Sequence, residues 1–403
     1  MKSKLQFCVV LALLCAGLPL LFRGQTHSSD EHLTAHEWGT FTSIAGKDGR
    51  AAEWLPLTGS ADLPAFVEHL QNANFKGGLR GTVRMETPVL YFYTDRKTTV
   101  SVHVSFSQGL ITEWYPHPNR VEPAGLQTQA RMIAYLQDWS RHQKQPDGSI
   151  SWDSLQLEPG SSAELASGVS ENHYFAARDT SSTPLRISTP AGEQTEKFLF
   201  YRGVASFSVP VSVRLADNSR VLIHNSATQR VPAMILFERR GDKLGFRIAK
   251  NSEMESALDP PELNATMESL EQAVESILIA QGLYKDEAQA MLKTWHDSWF
   301  EEGSRLLYIV PRGIVDSVLP LTIQPAPTQT VRVFVGRLEL VTRATERDVE
   351  QALARHDRAT LAHYNRFLVP ILERMIVDNK NPTVQAQLRQ YLNSSQALVA
   401  QSN

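Results

Sequence analysis

The chain has 403 residues, of which 42% are hydrophobic and 21% are charged, and its formal net charge is −3 at pH 7. These fractions are typical of a folded globular protein, and the length predicts two or three domains. Because there is no basic surplus to displace counterions, the charge argues against nucleic acid as a partner.

The first 24 residues predict either a cleaved export signal or an uncleaved membrane anchor. Lys2 and Lys4 precede an uncharged apolar run over residues 5–22, which Arg23 and Gly24 end. Such a run partitions into the bilayer while the lysines stay on the cytoplasmic side. It is about as short as a spanning segment can be (~17–25 residues), so both alternatives stay open, with cleavage slightly favoured. The protein is therefore expected in the periplasm or outside the cell, with membrane contact only through this segment.

The exported part contains no cysteine, because both cysteines of the chain, Cys8 and Cys15, lie within the apolar run. Disulfides, thiol nucleophiles and cysteine-bound metals are thereby excluded from it. A chain of this size can be stable from packing alone.

Residues 25–255 are predicted to form a β-rich, sandwich-like domain with one inserted helix. Short runs of β-branched and aromatic residues, bounded by Gly, Pro and Asp, indicate strands. The run over 100–106 alternates apolar with polar residues, and the run over 88–93 is apolar on both faces, as in a central strand. The predicted strands are 40–44, 89–93, 100–106, 197–201, 205–215, 220–224, 233–239 and 244–248, and the helix spans 126–142.

Residues 256–403 are predicted to form a helical domain packed on the first. Apolar residues at helical spacing over 263–278, then Gly282 as a stop, indicate the first helix of an αα-hairpin, and 285–302 the second. Strands return at 305–310, 319–323 and 330–341. A long helix capped at Thr345 and kinked at Pro370 follows, with a last helix after Pro382. This order predicts an α+β fold.

Two clusters combine carboxylates with aromatic and histidine side chains. The first is His36, Glu37 and Trp38; the second is Glu113, Trp114, Tyr115 and His117. A carboxylate fixed beside flat aromatic rings suits a sugar site, where rings stack on the sugar and the carboxylate binds hydroxyls or transfers protons. Each cluster alone, however, is more often ordinary packing.

The first functional hypothesis is an exported binding or structural protein of the cell envelope with a glycan-like ligand. The alternative is a secreted hydrolase that uses Glu37 and Glu113 as a carboxylate pair, supported by His36 or His117. The pair would have to face each other across a cleft at about 5–10 Å. Carboxylates on opposite faces of a sheet would exclude that mechanism. The sequence does not decide whether the protein is an enzyme, and it gives no indication of oligomeric state.

Charged residues also flank predicted strands. Arg84 and Glu86 enter the central strand and are candidate ligand-binding residues, and Arg202, Arg305 and Arg337 lie on other strands. The favoured interpretation is a set of ion pairs that fix the helical part to the sheet. An anion site between the domains is the alternative. The sequence contains no HExxH zinc motif, no GxSxG elbow and no phosphate-binding glycine loop, so no metal and no cofactor are predicted.

Overall fold

The computed structural model describes residues 29–57, 63–70, 79–126, 129–141, 147–162, 164–168, 173–379 and 382–401. The predicted export signal or anchor, residues 1–24, lies outside the described residues. No helix within the described ranges combines the length and the apolar character that a bilayer crossing requires.

The strands form three sheets. In chain order they are β1 (Ser29–Ile44), β2 (Glu68–His69), β3 (Val83–Tyr93), β4 (Thr98–Phe106), β5 (Gly109–Tyr115), β6 (Arg120–Glu122), β7 (Gly148–Leu157), β8 (Leu185–Thr189), β9 (Gly192–Glu196), β10 (Phe198–Ala205), β11 (Val211–Leu215), β12 (Val221–Asn225), β13 (Val231–Arg240), β14 (Lys243–Ser252), β15 (Glu255–Leu258), β16 (Gly303–Ile309), β17 (Leu321–Gln324) and β18 (Ala326–Leu340).

The largest sheet has nine strands in the order β14-β13-β16-β18-β1-β3-β10-β5-β2. At its centre, β1 and β18, which lie far apart along the chain, pair in parallel, whereas β1 and β3 are antiparallel. A second sheet has the order β17-β4-β7-β8-β9, with β6 beside β7, and β11-β12-β15 form a third.

One face of the nine-stranded sheet packs on the second sheet, and both contribute to one apolar cluster. Leu90 and Phe92 of β3 belong to it together with Val102 and Val104 of β4 and Trp152 of β7. The alternation predicted for β4 is confirmed, since its valines are buried and His103 is exposed. This packing is the sandwich-like arrangement expected from the sequence, and the fold is α+β.

The opposite face of that sheet is covered by helices. In chain order the helices are α1 (Gln129–Arg141), α2 (His173–Ala176), α3 (Met267–Ala280), α4 (Lys285–Trp299), α5 (Arg312–Val318), α6 (Arg343–Arg355), α7 (Arg358–His363), α8 (Leu368–Asp378) and α9 (Pro382–Gln401), with a 3-10 turn over Asn365–Phe367. The hairpin α3–α4 packs its apolar faces on β13, β16 and β18.

The prediction of one long C-terminal helix was wrong. Thr342, not Thr345, caps α6 by accepting a hydrogen bond from the Thr345 amide. The helix then ends at His356, whose φ of 53° is left-handed. Pro370 does not kink a helix, because it lies in the first turn of α8, where its missing N–H has no intrahelical partner to lose.

The predicted boundary at residue 255 separates strands that share one sheet. β16 and β18 come from the second segment, yet they lie between β13 and β1 of the first. The C-terminal helices pack on the same sheet, where Ile44 and Val341 join a third apolar cluster with Leu361 and Phe367.

Candidate functional site

Strand β1 sends the first predicted cluster to two different faces of the sheet. His36 and Trp38 are paired with Tyr91 and Val89, which face the helices, whereas Glu37 is paired with Leu90, which faces the second sheet. Side chains of successive strand residues alternate in this way. The three residues therefore do not form one site.

Glu37 is completely buried between the two sheets. It accepts a hydrogen bond from the Tyr201 hydroxyl and another from Arg332 Nε at 2.5 Å. Arg332 also donates to Asp316 at 2.8 Å. Burial, and then the negative charge of Glu37, raise the pKa of Tyr201, which keeps it a donor. These bonds connect β1, β10 and β18 of the nine-stranded sheet with α5. Arg332 Nη2 is buried and has no hydrogen-bond partner among the described residues.

His36 is also fully buried and connects β1 to α4. Its Nδ1–H donates to Glu287 Oε2 at 2.8 Å, and Tyr93 donates its hydroxyl to Glu287 Oε1 at 2.7 Å. The Tyr284 amide donates to Glu287 Oε2 at 2.7 Å as well. Burial, followed by Glu287, raises the pKa of Tyr93. The contact fixes the start of α4 on the sheet.

The aromatic rings proposed to stack on a sugar are core residues. The exposed fractions of Trp38, Trp114 and Tyr115 are 0%, 6% and 3%. A ring face has to be open to solvent before a ligand can stack on it, so these three rings do not offer such a face.

His117 lies at the sheet margin and is half-exposed. Its Nδ1 contacts Glu68 Oε1 at 2.8 Å, and Trp114 Nε1 donates to Glu68 Oε2 at 3.0 Å. The His117 amide donates to Gln194 at 2.7 Å. Sequence reasoning missed Glu68, because nothing in a two-residue strand 49 positions away signals this pairing.

Glu113 lies on the helix-facing side of the sheet, opposite to Glu37. In the pairing of β5 with β10, Glu113 lies opposite Arg202. The next pair along these strands, Trp114 and Tyr201, points to the other face, towards the second sheet, where Glu37 also lies. The two carboxylates thus cannot flank one glycosidic bond. The hydrolase mechanism proposed from the sequence, with Glu37 and Glu113 as its pair, is contradicted.

The helix-facing side carries a row of polar residues across six adjacent strands, which we call the polar belt. Its members lie at paired or neighbouring register positions, so that they share one face. From β5 to β16 they are Glu113, Arg202, Arg84, Glu86, Thr40, Thr42, Arg337, Glu339 and Arg305. The belt contains the predicted ligand residues Arg84 and Glu86.

The helical part of the chain is joined to the belt by ion pairs. Arg337 donates to Ser298, in the last turn of α4, at 2.8 Å, and to Glu301, which follows that helix. Arg366, from the 3-10 turn, contacts Glu86 Oε1 at 2.7 Å. Within the sheet, Arg305 Nε donates to Glu339 at 2.9 Å. These contacts match the ion pairs favoured on sequence grounds, although Arg366 carried no signal.

Glu86 is the acidic centre of this arrangement. Burial by itself raises the pKa of its carboxyl, but the guanidinium groups of Arg366, Arg84, Arg337 and Arg202 outweigh that effect and lower it. Glu86 is therefore a buried anion that four arginine side chains stabilise.

Several polar atoms around Glu86 have no hydrogen-bond partner in the described part of the chain. On the belt face they are the hydroxyls of Thr40 and Thr42 and the Nε atom of Arg337, all buried. The hydroxyl of Thr87, which follows Glu86 in the sequence, is buried without a partner as well. Thr87 also has a left-handed φ of 41°, rare for a β-branched residue. Buried polar groups almost always find partners, so a cluster without them suggests a bound water or ligand.

Among the described residues, no group of three or more His, Cys, Asp or Glu side chains is placed to hold a metal ion.

No protein-family model matches the sequence, and no curated protein matches it with significance. Among solved structures, the chain shows a likeness to the Fcho1 Mu homology domain of Danio rerio with a bound Eps15 peptide, at 7% identity and a TM-score of 0.27. The alignment covers 78% of this chain and 98% of that one. A superposition of this quality establishes neither a shared fold nor a shared function.

Proposed function

We propose that this chain is an exported binding protein of the cell envelope and that its ligand contacts the polar belt. The observation that carries the proposal is the cluster of unpartnered buried polar atoms around Glu86. Each such atom costs roughly 1–3 kcal/mol if nothing pairs with it. A bound ligand would remove that cost, and strained backbone such as that of Thr87 is concentrated at ligand sites.

A glycan-like ligand would not find the stacking surface that the sequence suggested. That aromatic platform is buried, so that a sugar would have to be held through polar contacts alone.

Binding is tested by thermal unfolding with a panel of oligosaccharides, organic acids and inorganic anions. A ligand of the folded state raises the melting temperature, by an amount equivalent to about 2.7 kcal/mol at 100 times its Kd. The double variant Thr40→Val, Thr42→Val should reduce the shift. The matched control Thr322→Val, at an exposed position of β17, should keep it. No shift with any compound would contradict the proposal.

Export is tested separately with the full chain and a variant that lacks residues 1–24. The full chain should be recovered outside the cytoplasm, whereas the shortened chain should stay inside, because the apolar run is the part that partitions into the bilayer. Equal distributions of the two would disprove the export half of the proposal.

A further inference from the structure

We infer that the ligand of the polar belt is a small oxyanion, a class that includes carboxylates, phosphate and sulfate. The inference rests on the proposed binding function and names the ligand class for the same site. It depends on the kind of hydrogen-bonding atoms that surround Glu86, on the charge there and on the degree of burial.

The atoms around Glu86 are mostly hydrogen-bond donors. A guanidinium has five N–H donors and no acceptor, and a threonine hydroxyl can donate one. Four guanidinium groups lower the pKa of Glu86. The belt and its helical contacts together bring five arginines against four carboxylates, those of Glu86, Glu113, Glu301 and Glu339, so one positive charge is in excess. The hydroxyls of Thr40 and Thr42, on the same face, have no partner in the described residues. A ligand that matches this set must bring acceptor oxygens, as oxyanions do.

The electrostatic environment favours the same class. Arg84 is 7% exposed, Arg202 3% and Arg337 fully buried. Charge-assisted hydrogen bonds between guanidinium and oxyanion are strong, and poor access of water strengthens them further.

Arg366 is the belt contact best placed to meet an arriving ligand. Arg366 comes from the 3-10 turn, whereas Arg84, Arg202 and Arg337 come from strands. Its side chain is 16% exposed, against 9% for Arg84 and 0% for Arg337. Asn365, with φ of 42°, precedes it. Arg366 thus combines the strongest contact to Glu86 with partial access to solvent, and we assign it the positioning of the oxyanion.

The test is calorimetric titration of the full exported chain with acetate, phosphate and sulfate at constant ionic strength, with chloride and glycerol as controls. We expect saturable binding of at least one oxyanion, and no heat of binding with either control. Comparison of acetate with phosphate and sulfate separates planar from tetrahedral ligands.

Two substitutions decide whether the oxyanion lies in the belt. Arg366→Lys should weaken its binding by about tenfold, because lysine cannot form the bidentate contact. Arg312→Lys, at an exposed ion pair of α5, is the matched control and should bind as the unchanged chain does. If Arg366→Lys fails to fold, Thr40→Val serves instead, and Thr40→Ser should restore binding because it restores the hydroxyl.

The outcomes separate the two proposals. Equal affinities of the Arg366→Lys and Arg312→Lys variants would place the ion elsewhere and overturn the inference. Binding of a neutral compound from the panel without any oxyanion would overturn the ligand class but leave the binding function. Absence of binding by every compound would overturn both.

Discussion

At the scale of single residues, Glu86 makes a testable difference to acid stability. Its pKa is lowered in the folded protein, so its contribution is complete above the usual glutamate value of about 4.3 and is lost as the pH falls from there through the lowered pKa. Glu86→Gln should cost roughly 3 kcal/mol of unfolding free energy at pH 7, because it breaks a buried ion pair. Urea denaturation between pH 7 and 2 should show this difference shrink on the acid side. A constant difference would contradict the assignment.

The buried contact between His36 and Glu287 can be compared with an exposed one of the same kind. His224 and Glu255 are 2.7 Å apart, but the Glu255 side chain is 72% exposed, whereas Glu287 is fully buried at 2.8 Å from His36. Glu287→Gln should lower the unfolding free energy by about 3 kcal/mol. Glu255→Gln should change it by less than about 1 kcal/mol. Similar small losses in both variants would show that burial adds nothing to the first contact.

The sequence could predict that adjacent residues of one strand lie on opposite faces of the sheet. It could not predict which residues of different strands lie side by side. The period of two already places Glu37 and Trp38 on opposite faces. The face of Glu113 depends on the register of β5 against β10, which is fixed by tertiary packing. Arg366 gave no signal because a charged residue in a helical segment is normally solvated.

At the scale of elements, a small apolar cavity lies between the helical hairpin and the sheet. It has a volume of about 20 Å³ and is lined by Val274, Trp299 and Val335 among others. Val274→Ile should fill part of it and raise the unfolding free energy by up to about 0.5 kcal/mol, at 24 cal/mol per Å³. Thermal unfolding measures the change.

The control for this prediction is Val349→Ile in α6, where the side chain is fully buried in the C-terminal cluster. There an added methylene should destabilise the protein by about 1–3 kcal/mol, because a close-packed site has no room for it. Stabilisation by both substitutions would show that the cavity does not explain the first result.

Long periodic elements were the easiest to predict. The αα-hairpin was found from its apolar spacing, and the central position of β3 from its unbroken apolar run. The breaks after α6 were missed because His356 ends that helix in a left-handed conformation that histidine adopts only occasionally. The helix propensities of the residues do not predict that a helix ends at such a histidine.

At the scale of the whole molecule, the shared sheet determines what can fold independently. A fragment of residues 25–255 contains β1 but lacks β18, so one edge of β1 would lose its partner in the centre of the sheet. We expect this fragment to be unfolded or aggregated, as exposed strand edges promote association. Circular dichroism and gel filtration test this; a monomeric, cooperatively unfolding fragment would support independent domains instead.

The parallel pairing of β1 with β18 also bears on the order of events in the proposed export. The bond between Glu37 and Arg332 joins residues 295 positions apart. A polypeptide threaded N-terminus first delivers β1 long before its neighbour, and contacts so distant along the chain form slowly. We therefore expect the chain to stay unfolded during translocation and to complete its central sheet only after β18 has emerged.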